Sequence, residues 1–198
     1  MVHFGMQIPT GESFETLEVK KSKFIAHLFP YAAFDAVLAR LREAHPKARH
    51  FVTAYRYLND FDQVVEGCSD DGEPRGTSGK PTLAVLQGSG LIDAGIVIVR
   101  YFGGIKLGTG GLVRAYGDAA NLVISTAGLR EYRKEFERQF LCPYANVGMV
   151  EYALEQCGIR TTEKRFDVAE VCFTVRGTEP DLEAFVHQTE RLVEPIAE

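Results

Sequence analysis

The chain contains no tryptophan, and only eight prolines and four cysteines in 198 residues. Each scarcity excludes something. Cys68, Cys142, Cys157 and Cys172 lie far apart and none belongs to a Cys-x-x-Cys pair, so the paired spacing of a zinc site is missing. Disulfide frameworks belong to small secreted domains. The first fifteen residues show no basic start followed by an apolar run, so they do not read as a secretory signal. The cysteines are therefore read as reduced thiols without a disulfide partner, with Cys172 in Val171-Cys172-Phe173 as a small core hydrophobe. The expected compartment is the cytoplasm. No apolar run approaches the roughly 18 residues of a membrane helix, so no membrane partner is expected. With 45% apolar residues and a mean hydropathy of −0.09, the composition excludes a disordered or collagen-like chain.

A basic excess is also missing. The formal net charge is −5, the opposite of the whole-domain footprint of most nucleic-acid binders. The acidity is uneven, however. Residues 1–130 carry 14 Lys/Arg and 13 Asp/Glu, a net of +1, whereas residues 131–198 carry 8 and 14, a net of −6. That contrast, with no Pro/Gly/Ser linker, predicts two directly joined domains, 1–130 and 131–198.

Periodicity predicts an α+β chain. Ser13 to Phe29 reads as two strands joined near Lys20-Lys21. Tyr31 to Ala44 has one apolar helical stripe, and Phe51 to Leu58 returns through Asn59-Asp60 to a strand at Val64. A short helix capped by Thr77 or Ser78 is expected to run to Gln87. Ala94 to Phe102 reads as a strand buried on both faces, followed by a helix from about Gly111 to Thr126. Beyond Gly128, strands are expected at 132–141, 159–166, 168–176 and 192–196. Helices are expected from Pro143 to Cys157 and from Pro180 to Glu190. That order is βαββαβ, the ferredoxin-like arrangement.

Glycine is the exception to this average composition. Of 19 glycines, 13 lie between Gly67 and Gly117, which places the functional surface there. In Ser69–Pro81, three acids (Asp70, Asp71, Glu73), two bases (Arg75, Lys80) and Thr77-Ser78 crowd a turn before a helix. The Walker A template fails: Pro74 stands where its first glycine belongs, and Pro81 follows Lys80. The open readings are an anion site on the helix amides, a magnesium site on the acids, or a structural cap. In Val99–Gly117 a strand runs through Gly103-Gly104 and Gly108-Thr109-Gly110 into a helix. The dinucleotide fingerprint fails because Val113 stands in its last glycine position. Arg100, Lys106 and Arg114 alternate with Tyr101, Phe102 and Tyr116. This mixture suits single strands, which bind by charge and stacking; otherwise Phe102 and Tyr116 are core. Arg49 and His50 are expected as polar contacts, with Arg49 facing the acids of 70–73. No nucleophile motif and no metal motif is present.

Taken together, Lys21-Ser22-Lys23-Phe24-Ile25, Ala48-Arg49-His50, Ser69–Pro81 and Val99–Tyr116 resemble the IMPACT family, in its two-domain bacterial YigZ-like branch. The resemblance implies a first domain with the fold shared by the second domain of a small-subunit ribosomal protein and by galactokinase-type kinases. It implies a second domain similar to the last domain of elongation factor G. Eukaryotic relatives restrain a translational-control kinase; their extra N-terminal interaction domain is not expected here, so that role is not carried over.

Three readings follow. The first is a non-catalytic, translation-associated regulator that binds RNA, the ribosome or a translation factor. The second is an enzyme or binder of a small phosphorylated ligand held by the glycine-rich turns. The third is a protein–protein adaptor for a regulatory partner. The residues assigned to binding are Arg49, His50, Asp70, Asp71, Glu73, Arg75, Thr77, Ser78, Lys80, Arg100, Tyr101, Gly103, Gly104, Lys106, Thr109, Gly110 and Arg114. No catalytic residue, metal or cofactor is assigned.

Overall fold

The structure is a computed structural model that describes residues 5–196. The chain is α+β and divides between Tyr132 and Arg133 into two compact units.

The first unit is built on a five-stranded sheet, entirely antiparallel, in the order β2-β3-β6-β4-β5. Its strands are β2 Ser13–Val19, β3 Ser22–Pro30, β4 His50–Leu58, β5 Val64–Ser69 and β6 Ala94–Tyr101. Helix α1, Phe34–Ala44, covers one face, while α2, Gly79–Gly88, and α3, Gly108–Thr126, cover the other. This double cover explains the unbroken apolar run of β6. Ile96 and Ile98 enter the cluster of Phe24, Leu86, Leu112 and Tyr116, while Val97 and Val99 meet Phe29, Val37 and Leu41. Each large side chain fully buried in this way stabilises by about 1.5–3 kcal/mol.

Two short strands escape a reading by periodicity. Strand β1, Gln7–Pro9, pairs antiparallel with β7, Leu129–Glu131. Three residues are too few to show alternation, and the pairing joins segments over a hundred residues apart. The long helix also starts earlier than expected, at Gly108. Gly108 takes φ +73° and Gly104 φ +82°, so these glycines turn the chain into the helix and Gly110 and Gly111 lie inside it.

The second unit contains β8 Glu135–Pro143, α4 Val147–Gln156, β9 Arg160–Phe166, β10 Glu170–Thr178, α5 Glu179–Thr189 and β11 Glu194–Pro195. Its sheet order is β11-β8-β10-β9, with every pairing antiparallel. Phe140, Phe173 and Val175 of the sheet meet Val150, Leu154, Leu182 and Phe185 of the helices. Pro143 ends β8 and does not open α4, which follows a single 3₁₀ turn at Tyr144–Asn146. Thr178 caps α5, its hydroxyl accepting from the Asp181 amide. Edge strand β9 is exposed along its whole length. All four cysteines are free. Among the described residues no helix is long and apolar enough to cross a membrane.

Candidate functional site

The loop between β5 and α2 is tied down by its own acids. Asp70 accepts from the amides of Gly76 (2.7 Å), Ser78 (3.1 Å) and Gly79 (2.8 Å). The helix N-terminus is therefore capped by Asp70, and not by the side chain of Thr77 or Ser78. This corrects the anion-site reading of Thr77–Lys80, because the amides offered to a phosphate already hold a carboxylate. Burial alone would raise the Asp70 carboxyl. The three amides, with Lys80 nearby, outweigh it and hold the group below the usual carboxylate range.

A depressed carboxyl stabilises the fold above its unfolded value, and that contribution is lost as pH falls through the lower folded value. Asp70→Ala is thus expected to cost about 1 kcal/mol at neutral pH. The gap between wild type and variant should close as pH falls below about 3.8, Asp70's ordinary value. Urea melts at pH 7 and pH 3 check this; a gap independent of pH would refute the cap.

Asp71 accepts from the Phe51 amide at 2.6 Å and faces Arg42 at 3.7 Å, so Arg42 takes the place expected for Arg49. Arg49 is exposed, and His50 donates from Nδ1 to the Asp71 carbonyl at 2.9 Å. Glu73 turns inward. It accepts from Arg100 at 2.5 Å and from the Tyr116 hydroxyl at 2.8 Å, and all three are buried. Arg100 lies over the rings of Phe24 and Phe102, and its Nε has no partner among the described residues. Burial first, then the charge of Glu73, pushes the Tyr116 phenol far above its ordinary value, so it remains a donor.

Arg100 is therefore a buried structural cation and not a surface contact for phosphate. Glu73, Thr77 and Ser78 are likewise buried; the Thr77 hydroxyl donates to the Pro74 carbonyl at 2.7 Å. With its three acids spent on amides and on Arg100, the loop does not gather them around a cation. Among the described residues no group of three or more His, Cys, Asp or Glu is placed to hold a metal.

What this anchor carries is a surface. Gly103 packs against the β2–β3 hairpin: a Cβ there would lie 2.0 Å from the Lys21 carbonyl carbon, and its amide donates to Ser22 Oγ at 3.2 Å. The hairpin turn is Lys20-Lys21, with φ +47° and +67°. A two-residue hairpin turn with both central residues left-handed favours Asn-Gly. Lysine there costs about 1 kcal/mol per residue. Beside it Phe102 is 58% exposed, followed by exposed Ile105, Lys106, Thr109, Gly110 and Arg114. Arg75 and Lys80 are exposed on the neighbouring loop. Tyr101 does not join this rim. It points to the α1 face and bonds His45 at 2.9 Å.

The glycine count singled out these loops, and the interleaved bases and aromatics singled out Lys106 and Arg114, both of which are exposed. Lys20 and Lys21 were not among the residues assigned to binding. The available signal was a Lys-Lys pair occupying turn positions that favour Asn-Gly. In the second unit an open depression of about 810 Å³ is lined by Phe136, Arg138, Val186 and Ile196. Its cation is already bound, since Arg138 pairs with Glu179.

A family model described as the Impact N-terminal domain matches residues 20–124. The chain belongs to the IMPACT family. The matched span takes in the Lys20-Lys21 hairpin, both glycine-rich loops and Arg114. The IMPACT family member YigZ of Escherichia coli (strain K12) is 41% identical over 153 residues, covering 76% of this chain and 75% of that protein. An IMPACT family member of Haemophilus influenzae (strain ATCC 51907 / DSM 11121 / KW20 / Rd) is 38% identical over 174 residues, covering 85% and 82%. A solved structure, "Crystal structure of an hypothetical protein", superposes with a TM-score of 0.70 at 33% identity, over 100% of this chain and 98% of that one. The IMPACT match thus reaches beyond the first unit.

Proposed function

We propose that this IMPACT family member is a non-catalytic, translation-associated regulator of the cytoplasm that binds RNA, alone or on the ribosome. One observation carries the reading: the Gly103 contact joins a strained di-lysine hairpin to a loop bearing exposed Phe102 and Lys106. Cations that meet phosphates beside an aromatic face that stacks bases form a single-strand binding surface. The strain points the same way, because strained backbone persists where the position serves a function. The second unit is read as ferredoxin-like on its βαββαβ order and its strand order. The first is read as the ribosomal-protein-like domain that the family resemblance implies. The phosphorylated-ligand reading at 76–80 is set aside because Asp70 fills those amides.

The test is co-sedimentation with ribosomes and with bulk RNA across a salt series. Each phosphate contact contributes a slope of roughly 0.7–0.9 in log K against log salt. Lys106→Gln with Arg114→Gln should flatten the slope by about 1.5 while leaving the fold intact. Replacing Lys20-Lys21 by Asn-Gly should raise the thermal midpoint by removing strain, yet weaken binding. Unchanged binding in both variants, or no binding at low salt, would overturn the reading.

A further inference from the structure

An open groove of about 520 Å³ lies between α1 and edge strand β2, on the sheet face opposite α2 and α3. Helix α1 packs on β3, β4 and β6, while Phe14, Thr16 and Glu18 of β2 remain exposed beside it.

The walls of this groove are held in place. Arg40 Nη2 donates to both oxygens of Glu12, at 2.5 and 2.6 Å, and His27 Nδ1 lies 2.9 Å from the same carboxylate. A carboxylate only accepts, so Nδ1 carries the His27 proton. Burial lowers the His27 imidazole below its ordinary value, against the pull of Glu12, and keeps it neutral. Its Nε2 is then a buried acceptor with no partner among the described residues. An orphaned buried group needs an explanation. Here the ring serves as a platform: Phe14 stacks on it at 5.6 Å and 25° and is itself 65% exposed.

The groove also offers uncommitted donors. Lys23 lines it and stands opposite Glu18 in the β2–β3 register without bridging it. Arg40 commits Nη2 to Glu12, and its Nη1 and Nε have no partner among the described residues. Glu12 is offset by Arg40 and Glu18 balances Lys23 in charge, but the Lys23 ammonium and the remaining Arg40 nitrogens place uncommitted donors beside a flat aromatic face. That combination selects an anion bearing a planar ring.

We propose that this groove binds one nucleotide, its base stacked on Phe14 and its phosphate between Lys23 and Arg40. The nucleotide is either a free mononucleotide or one residue of a strand. The assignment stands apart from the RNA-binding rim, because it uses different residues on the other sheet face.

The chain has no tryptophan, so Phe14→Trp puts its sole indole on the platform. Adenosine 5′-monophosphate should quench that fluorescence saturably at low salt and raise the thermal midpoint of the unmodified protein. Adenosine and inorganic phosphate should each bind at least tenfold more weakly. Lys23→Gln should weaken the monophosphate about tenfold, whereas Lys106→Gln with Arg114→Gln should leave it unchanged. Displacement by a single-stranded octanucleotide identifies a strand residue as the occupant; no displacement identifies a free nucleotide. Either result supports the groove. Absence of both quenching and thermal shift, phosphate binding as tight as the monophosphate, or indifference to Lys23→Gln overturns it. Loss of RNA co-sedimentation with the groove intact would overturn only the rim.

Discussion

Glu73→Ala is expected to destabilise the first unit by about 3–5 kcal/mol, the range for removing one partner of a buried ion pair. The reason lies in what it leaves behind. Arg100 is 6% exposed and faces the rings of Phe24 and Phe102, so water cannot replace the carboxylate. The Tyr116 hydroxyl loses its acceptor as well, with a further desolvation cost. Hydrogen exchange on α3 and β6, with denaturant melts, reads the loss in the unit that carries it. Glu73→Ala with Arg100→Leu removes both charges and should recover much of the stability. A single-variant cost below about 1 kcal/mol, or a double variant no better than the single, would show that the pair does not anchor the loop.

Gly103→Ala is expected to cost about 3 kcal/mol, the upper range for overpacking, and to release the hairpin from its neighbour. The added Cβ would meet backbone, not a side chain that can swing away: Lys21 C at 2.0 Å, Lys21 O at 2.2 Å and Ser22 N at 2.3 Å. The neighbouring glycines set the scale. Gly104→Ala meets no atom within 4 Å but must hold φ +82°, so about 1 kcal/mol is expected. Gly110→Ala also has open space and lies in α3, so it should be neutral or stabilise by up to about 1 kcal/mol. Thermal melts of the three variants test the order. Equal costs at Gly103 and Gly104 would mean that backbone conformation alone, and not the contact with Lys21, decides the effect.

Much of the sheet was legible because its strands carry their own signals. β2 alternates, β6 runs apolar from Ala94 to Val99 because helices cover both faces, and Gly158 marks the end of α4. The misreadings have physical causes. β1 and β7 depend on a pairing across the chain that no local pattern encodes. Arg100 looked like a surface cation because a basic residue in sequence is indifferent to burial; only the inward turn of Glu73, supplied by a loop 27 residues earlier, makes its burial tolerable. Asp70 was open to two readings, a magnesium ligand or a cap on neighbouring amides, and the three amides beside it decide for the cap. Glycine density pointed to two loops, but only the packing of Gly103 against Lys21 shows which glycine is held against backbone.

Strand β9 has a consequence for how the protein behaves in concentrated solution. It ends its sheet, with unpaired backbone groups available to any passing strand, the usual seed of edge-to-edge aggregation. Its sequence, Arg-Thr-Thr-Glu-Lys-Arg-Phe, places four charges among seven exposed residues. Two copies approaching edge to edge would have to desolvate those charges against one another. The charges on β9, which contribute little to the core, act as a gatekeeper that keeps this open edge from recruiting a second chain.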